Sequence, residues 1–126
     1  MLTVPSTWKR QQLSNDGNTL TYTRPGHTVK QPKLAIVSRV IPSYDTGRAT
    51  WSVPSYRVRV FDGVLNADGQ PDPTRTLYDL TVRASINSDG SAVVADVHSD
   101  FLLVVNQADF AANAIGAQEF PSPASE

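Results

Sequence analysis

The chain is predicted to fold as one α+β domain spanning residues 1–126, an antiparallel sheet with an N-terminal hairpin, followed by two C-terminal helices. Three observations predict it. Apolar residues alternate with period two in the segments up to Ile86, as in half-buried strands, and recur at helical spacing only after Asn87. All strand-like segments therefore precede all helix-like ones, the order of a sheet with helices on one face. A length of 126 residues with 40% hydrophobic and 18% charged residues leaves room for one globular domain and no second.

Residues 7–13 and 18–24 flank Ser14, Asn15, Asp16 and Gly17, a cluster that tolerates positive φ and marks a hairpin, so residues 1–24 form the N-terminal hairpin. Residues 33–86 are expected to form the main antiparallel sheet. Its first strand, 33–41, is rich in β-branched residues and stops at Pro42, which has no N–H for a central ladder. Tyr44, Asp45, Thr46 and Gly47 read as a loop, 49–53 as a short strand, and Pro54 as a second interruption. Residues 55–65 form a long strand. Residues 66–74, with Asp68, Gly69, Pro71 and Pro73, read as an exposed connection to an antiparallel strand over 75–86. In residues 88–116 the pattern turns helical. Val93, Val94, Val97, Phe101, Val104 and Val105 share a spacing of three to four, with Ser88 or Asp89 as cap, and a second helix over 107–115 has Asn106 as cap, Asp109 in the place of a capping-box acid and Gly116 as stop. Residues 120–126 read as a loose tail.

Charge is distributed unevenly along this order. Up to Arg59 nine cations stand against Asp16 and Asp45; beyond it only Arg75 and Arg83 face eight aspartates and two glutamates. The net charge of −1 hides this polarity. If the halves occupy opposite surfaces, one side attracts a polyanion and the other repels it. Within residues 56–61, Tyr56, Val58 and Val60 share one side of the strand, and Arg57, Arg59 and Phe61 the other. On the strand after the connection the more polar side carries Arg75, Leu77, Asp79, Thr81, Arg83 and Ser85. Two short helices leave much of the apolar sheet face uncovered, which argues for a partner subunit, most economically a twofold one.

This order resembles the coat proteins of single-stranded RNA bacteriophages, the leviviruses. The resemblance is carried by Tyr56, Arg57, Val58, Arg59 and Val60, by Asp72, Pro73, Thr74 and Arg75 after the connection, by Asp79, Leu80, Thr81 and Val82, and by Asn87, Ser88 and Asp89 opening the helix. About half the chain carries it, and the N-terminal hairpin agrees in type more than in sequence. It implies an obligate homodimer whose C-terminal helices, with Val94, Val97, Phe101 and Val104, interlock over the partner's sheet. It further implies a T=3 icosahedral shell, with the connection bearing Asp68, Gly69, Pro71 and Pro73 gathered at symmetry axes between dimers. Single-stranded RNA, including a hairpin that acts as translational operator, is expected on the inward sheet face. The residues matched to that face are Arg57, Arg59, Phe61, Asp79, Thr81 and Arg83, and the expected location is the virion, assembled in a bacterial cytoplasm. The connection over 42–55 is long for the family, and the nucleotide-pocket residues stay unassigned.

Arginine suits phosphate because its planar fork donates two hydrogen bonds at once. Asp79 has two readings: it accepts from a base amino group, or it forms a cross-strand ion pair with Arg57, Arg59 or a neighbour. Phe61 either stacks a base or packs. The chain has no cysteine, so disulfides and thiol chemistry are excluded, and His27 and His98 have no ligand spacing, so neither a metal nor a cofactor is expected. Asp96 and Asp100 fit an acidic helix face, and Ser91, His98 and Asp100 lack the strained turn that exposes a nucleophilic serine, so no catalytic residue is expected. Trp8 and Trp51 are expected to anchor packing. No basic segment leads into an apolar stretch at the start, and no apolar run approaches the roughly 20 residues of a membrane span, so a soluble protein without a membrane partner is expected. Alternatives from other classes are a small dimeric cellular RNA-binding β-sheet regulatory domain and a hydrolase using the aspartates.

Overall fold

The computed structural model describes residues 1–84 and 90–121. Two compact units, Met1–Ser85 and Ile86–Glu126, are described in turn. The first unit is a five-stranded antiparallel sheet in the order β1-β2-β3-β6-β7, from β1 (Lys9–Leu13), β2 (Thr19–Thr23), β3 (Lys33–Val40), β6 (Ser55–Leu65) and β7 (Pro71–Arg83). A separate two-stranded hairpin, β4 (Tyr44–Asp45) and β5 (Thr50–Trp51), is inserted between β3 and β6.

The β1–β2 turn forms where the residues at 14–17 place it. Gly17 takes φ 75°, a region closed to most side chains. The Ser14 hydroxyl accepts from Thr19 N at 3.0 Å, and Asp16 Oδ1 accepts from Asn18 N at 2.9 Å, so both strands leave the turn with their amides satisfied. Trp8 packs against Tyr22 with ring centroids 6.4 Å apart, as its anchoring role requires. At the other end of the sheet Gly63 lies under Pro32: a Cβ there would sit 2.5 Å from the proline Cδ.

Two corrections concern the connections. Tyr44 and Asp45, read as loop, are β4, because Tyr44 pairs with Trp51 and Asp45 with Thr50. The alternation needed to see a strand is absent in two residues, and only the partner reveals it. The connection read over 66–74 narrows to a turn at 66–70: Asn66 N donates to Gln70 O at 2.8 Å, and Gly69 carries φ 76°. Pro71 and Pro73 therefore belong to β7, an edge strand, where a missing N–H is tolerated.

The second unit holds α1 (Gly90–Val105) and a short π-helix, Phe110–Gly116. The capping positions Ser88 and Asp89, the strand end at 85–86 and the tail over 122–126 lie outside the described residues. Asn106 is not the cap of the second helix. Its N–H donates to Leu102 O at 3.0 Å and so closes α1, while the Gln107 side chain donates to Leu103 O at 2.8 Å. Asp109 stands at the N-cap instead, its carboxylate accepting from Asn113 Nδ2 at 3.0 Å, and the Ala117 N–H to Ala112 O bond gives the wider π spacing.

Neither unit closes over a core of its own. Among the described residues only Ala35 is fully buried, while Tyr78, Val97, Phe101, Leu103 and Val104 are exposed.

Candidate nucleic-acid interface

Cross-strand partners project to the same side of a sheet, so the register sorts every strand residue onto one face. One face reads, row by row across the strands, Thr19–Ser38–Arg57–Thr81, then Thr21–Ile36–Arg59–Asp79, then Lys9–Thr23–Leu34–Phe61–Leu77, with Ser55–Arg83 at the end. The opposite face carries Leu20, Tyr22, Ala35, Val37, Val58, Val60, Tyr78, Leu80 and Val82. All six residues matched to RNA contact thus lie on one face, with Arg57 and Arg59 about 6.8 Å apart along β6.

The electrostatics of this face are set by one fork. The Arg57 guanidinium donates from Nε to Asp79 Oδ1 at 3.0 Å and Oδ2 at 3.1 Å, and from Nη2 to Oδ2. The pair is diagonal, since Arg57 is directly opposite Thr81 and Asp79 directly opposite Arg59. The Thr81 hydroxyl lies 3.5 Å from Asp79 Oδ1. The hydrogen bonds from Arg57 hold the Asp79 carboxyl below its ordinary range, helped by the nearby charge of Arg59, and the same bonds raise Arg57. Of the two readings of Asp79, the free protein adopts the ion pair.

Arg59 differs from its neighbour. Its Nε is enclosed without a hydrogen-bond partner among the described residues, and it stands between Ile36 and Asp79. Arg83, on the exposed last position of β7, faces Ser55. The Phe61 side chain is half-buried, and its carbonyl lies 3.5 Å from Arg24 Nη1.

Sequence reasoning missed the outer part of this face. Lys9, Thr19, Thr21, Thr23 and Ser38 add an ammonium and four hydroxyls beside the arginines. The alternation of threonine at 19, 21 and 23 was visible, but only the β2–β3–β6 register shows that it shares the arginine side.

The register also corrects the charge picture. The cations of the first half do not gather on one face: Arg10, Arg24, Lys33 and Arg39 take the apolar side, where Arg24 and Lys33 both pair with Asp62. Burial alone would raise the Asp62 carboxyl, but the hydrogen bonds and charges of Arg24 and Lys33 lower it on balance. What polarity there is follows the two units. The sheet unit holds all eleven cations and six aspartates, whereas residues 86–126 hold six acids and no lysine or arginine.

The remaining candidates are placed as follows. Asp68 and Gly69 sit in the β6–β7 turn, where the Asn66 side chain accepts from Asp68 N and Gln70 N, each at 3.0 Å. Val94, Val97, Phe101 and Val104 lie on α1, the last three exposed. His27 accepts at Nδ1 from Lys33 N at 3.1 Å, a structural role, and no group of three metal-ligating side chains occurs among the described residues.

No protein-family model matches the chain, and no curated protein matches it in sequence. Solved structures do. A chain of the virus-like particle of Wenzhou levi-like virus 4 superposes with a TM-score of 0.70 at 14% identity, covering 99% of this chain and 88% of that one. The virus-like particle of bacteriophage GQ-907 gives 0.65 at 12% identity over 96% and 89%, and that of Beihai levi-like virus 32 gives 0.61 at 14% over 96% and 92%. This chain has the levi-like particle fold. The sheet-then-helix order expected from the levivirus resemblance is thus met over nearly the whole length, and at such low identity the likeness is one of fold. The levi-like fold here includes the strand pair that carries Arg57, Arg59 and Asp79.

Proposed function

We propose that this chain is a structural coat protein of a virion, which forms a homodimer through its helices, assembles into an icosahedral T=3 shell and holds single-stranded RNA on the Arg57/Arg59 face of its sheet. The observation that carries the reading is the end-to-end likeness to chains whose known assemblies are virus-like particles. Such a protein acts by binding and not by catalysis.

Two physical arguments support the finer parts. Val97, Phe101 and Val104 of α1 and Tyr78 of the apolar face keep large apolar side chains exposed, the kind of surface that an obligate partner removes from water. For RNA, Arg59, Arg83 and Lys9 present cations beside a row of hydroxyls, while Arg57 is held by Asp79 until a phosphate competes for it. Asp68 and Gly69 at the tip of the β6–β7 turn are assigned to contacts between dimers.

Expression of the chain alone followed by electron microscopy tests the reading. Uniform closed particles containing RNA are the expected product; a soluble dimer of low mass would refute the shell and favour a cellular RNA-binding domain.

A further inference from the structure

The face that carries Arg57 and Arg59 is built as two parallel ladders. Alternate residues of a strand stand about 6.8 Å apart on one side, so Arg57 and Arg59 of β6 set one ladder, and Thr19, Thr21 and Thr23 of β2 the other. The register holds the two in step: Ser38 joins Thr19 to Arg57, Ile36 joins Thr21 to Arg59, and Leu34 joins Thr23 to Phe61. With β3 between them the ladders lie roughly 9.6 Å apart, two strand spacings. A polymer running along the strands over Arg57 and Arg59 therefore meets a cation on one side and a hydroxyl on the other at each step.

Three of the hydroxyls on this face are available to a ligand. Thr23 donates to Lys9 O at 3.4 Å, and Thr81 lies 3.5 Å from Asp79 Oδ1, but the Thr19, Thr21 and Ser38 hydroxyls have no hydrogen-bond partner among the described residues. All three residues are half-buried, so a ligand that covers them displaces less water than it would from fully exposed groups. The branched Cβ of threonine restricts χ1, which holds its hydroxyl in a defined direction. A valine would meet the same strand preference, and the hydroxyl is what threonine adds at these positions.

What surrounds them narrows the ligand. Base recognition on a single strand uses stacking aromatics and groups that reach base edges. Phe61 is the one ring that the register places on this face among the described residues, and it is half-buried, while Asp79 is engaged by Arg57. The arginines match phosphate. The part of a nucleotide left to the hydroxyls is the sugar, where ribose differs from deoxyribose by a 2′-hydroxyl that donates and accepts as a threonine hydroxyl does.

We infer that the Thr19, Thr21 and Ser38 hydroxyls bind ribose 2′-hydroxyls of a single strand whose phosphates lie along Arg57 and Arg59, so that this face selects RNA over DNA. The inference rests on the RNA-binding part of the coat-protein reading. The arginines set how tightly a nucleic acid is held, and the hydroxyls set which sugar is accepted.

Two labelled, unstructured probes of identical uracil-containing sequence, one built on ribose and one on deoxyribose, test it by fluorescence anisotropy with unassembled protein. The unaltered protein is expected to bind the ribose probe about tenfold more tightly, the effect of one or two net hydrogen bonds. Thr19→Val/Thr21→Val/Ser38→Ala should bring the two affinities within about twofold by weakening the ribose probe alone, with the salt slope unchanged. Its unchanged affinity for the deoxyribose probe reports an intact face. Thr19→Ser/Thr21→Ser keeps the hydroxyls and should keep the preference. Equal affinity of the unaltered protein for both probes overturns the inference and leaves RNA retention by the arginines standing. A hydroxyl-free variant that keeps the tenfold preference also overturns it, and loss of the preference in the serine variant would assign the effect to the threonine methyl groups instead. Failure of the unaltered protein to bind either probe overturns the RNA-binding reading and this inference with it.

Discussion

Replacing Asp79 by asparagine distinguishes the two chemistries open to that carboxylate under the proposed RNA binding. In the free protein Asp79 holds Arg57 through both carboxylate oxygens, so one of the two β6 arginines starts out neutralised. Asp79→Asn keeps the shape and removes the charge, which releases Arg57 for a phosphate. Each phosphate neutralised on a single strand adds about 0.7 to the salt slope, so between about 50 and 200 mM salt the variant should lose roughly 2.6-fold more affinity than the parent. Extrapolated to about 0.15 M salt, the same contact tightens binding roughly fourfold. Arg59→Gln is the mirror case: its Nε has no hydrogen-bond partner among the described residues, and loss of the guanidinium should flatten the slope by about 0.7. The assay is fluorescence anisotropy of a labelled, unstructured RNA titrated with unassembled protein across a salt series. Weaker binding by Asp79→Asn with an unchanged slope would refute the ion-pair account and assign Asp79 to a base amino group.

Three further outcomes follow from the structure. Asp62 is lowered by Arg24 and Lys33 against the effect of burial, so the stability it contributes is present above its ordinary carboxylate range and lost as pH falls through the lowered value. Unfolding free energies from urea titrations of the parent and Asp62→Asn should differ by about 0.5 kcal/mol at neutral pH, a partly exposed network being screened by solvent, and converge in strong acid. Gly63→Ala places a methyl group against Pro32 and should cost about 1–3 kcal/mol, read as a lowered melting temperature with the RNA slope of the folded protein unchanged. Phe101→Ser removes an exposed apolar side chain from α1; sedimentation should show dimers shifting to monomers, and an unchanged dimer would take the helix out of the interface.

How much of this was legible in the sequence varies with the range of the interaction. The β1–β2 turn, the bounds of β6 and the side taken by Arg57 and Arg59 follow from local rules, a glycine at positive φ and strict alternation. The β4–β5 hairpin was half seen, because strands of two residues carry no period and exist only through the Tyr44–Trp51 pairing. The hydroxyls of Thr19, Thr21 and Thr23 became part of the candidate surface only through a register that runs across three strands. Asp79 shows the same limit at one residue: its face was readable, but its diagonal partner depends on side-chain reach, which spacing does not encode.

In the coat role proposed above, the division of charge between the two units has a consequence for how container and cargo come apart. Eleven cations and six acids in one unit, with six acids alone in the other, leave each copy close to neutral. Copies of the coat therefore repel each other little at long range, and apolar contacts between them respond weakly to ionic strength, whereas the hold of a locally cationic face on RNA falls steeply with it. Salt should strip the nucleic acid from an opened shell while the protein–protein contacts persist. Emptying and refilling the particle would then be governed by a single solution variable.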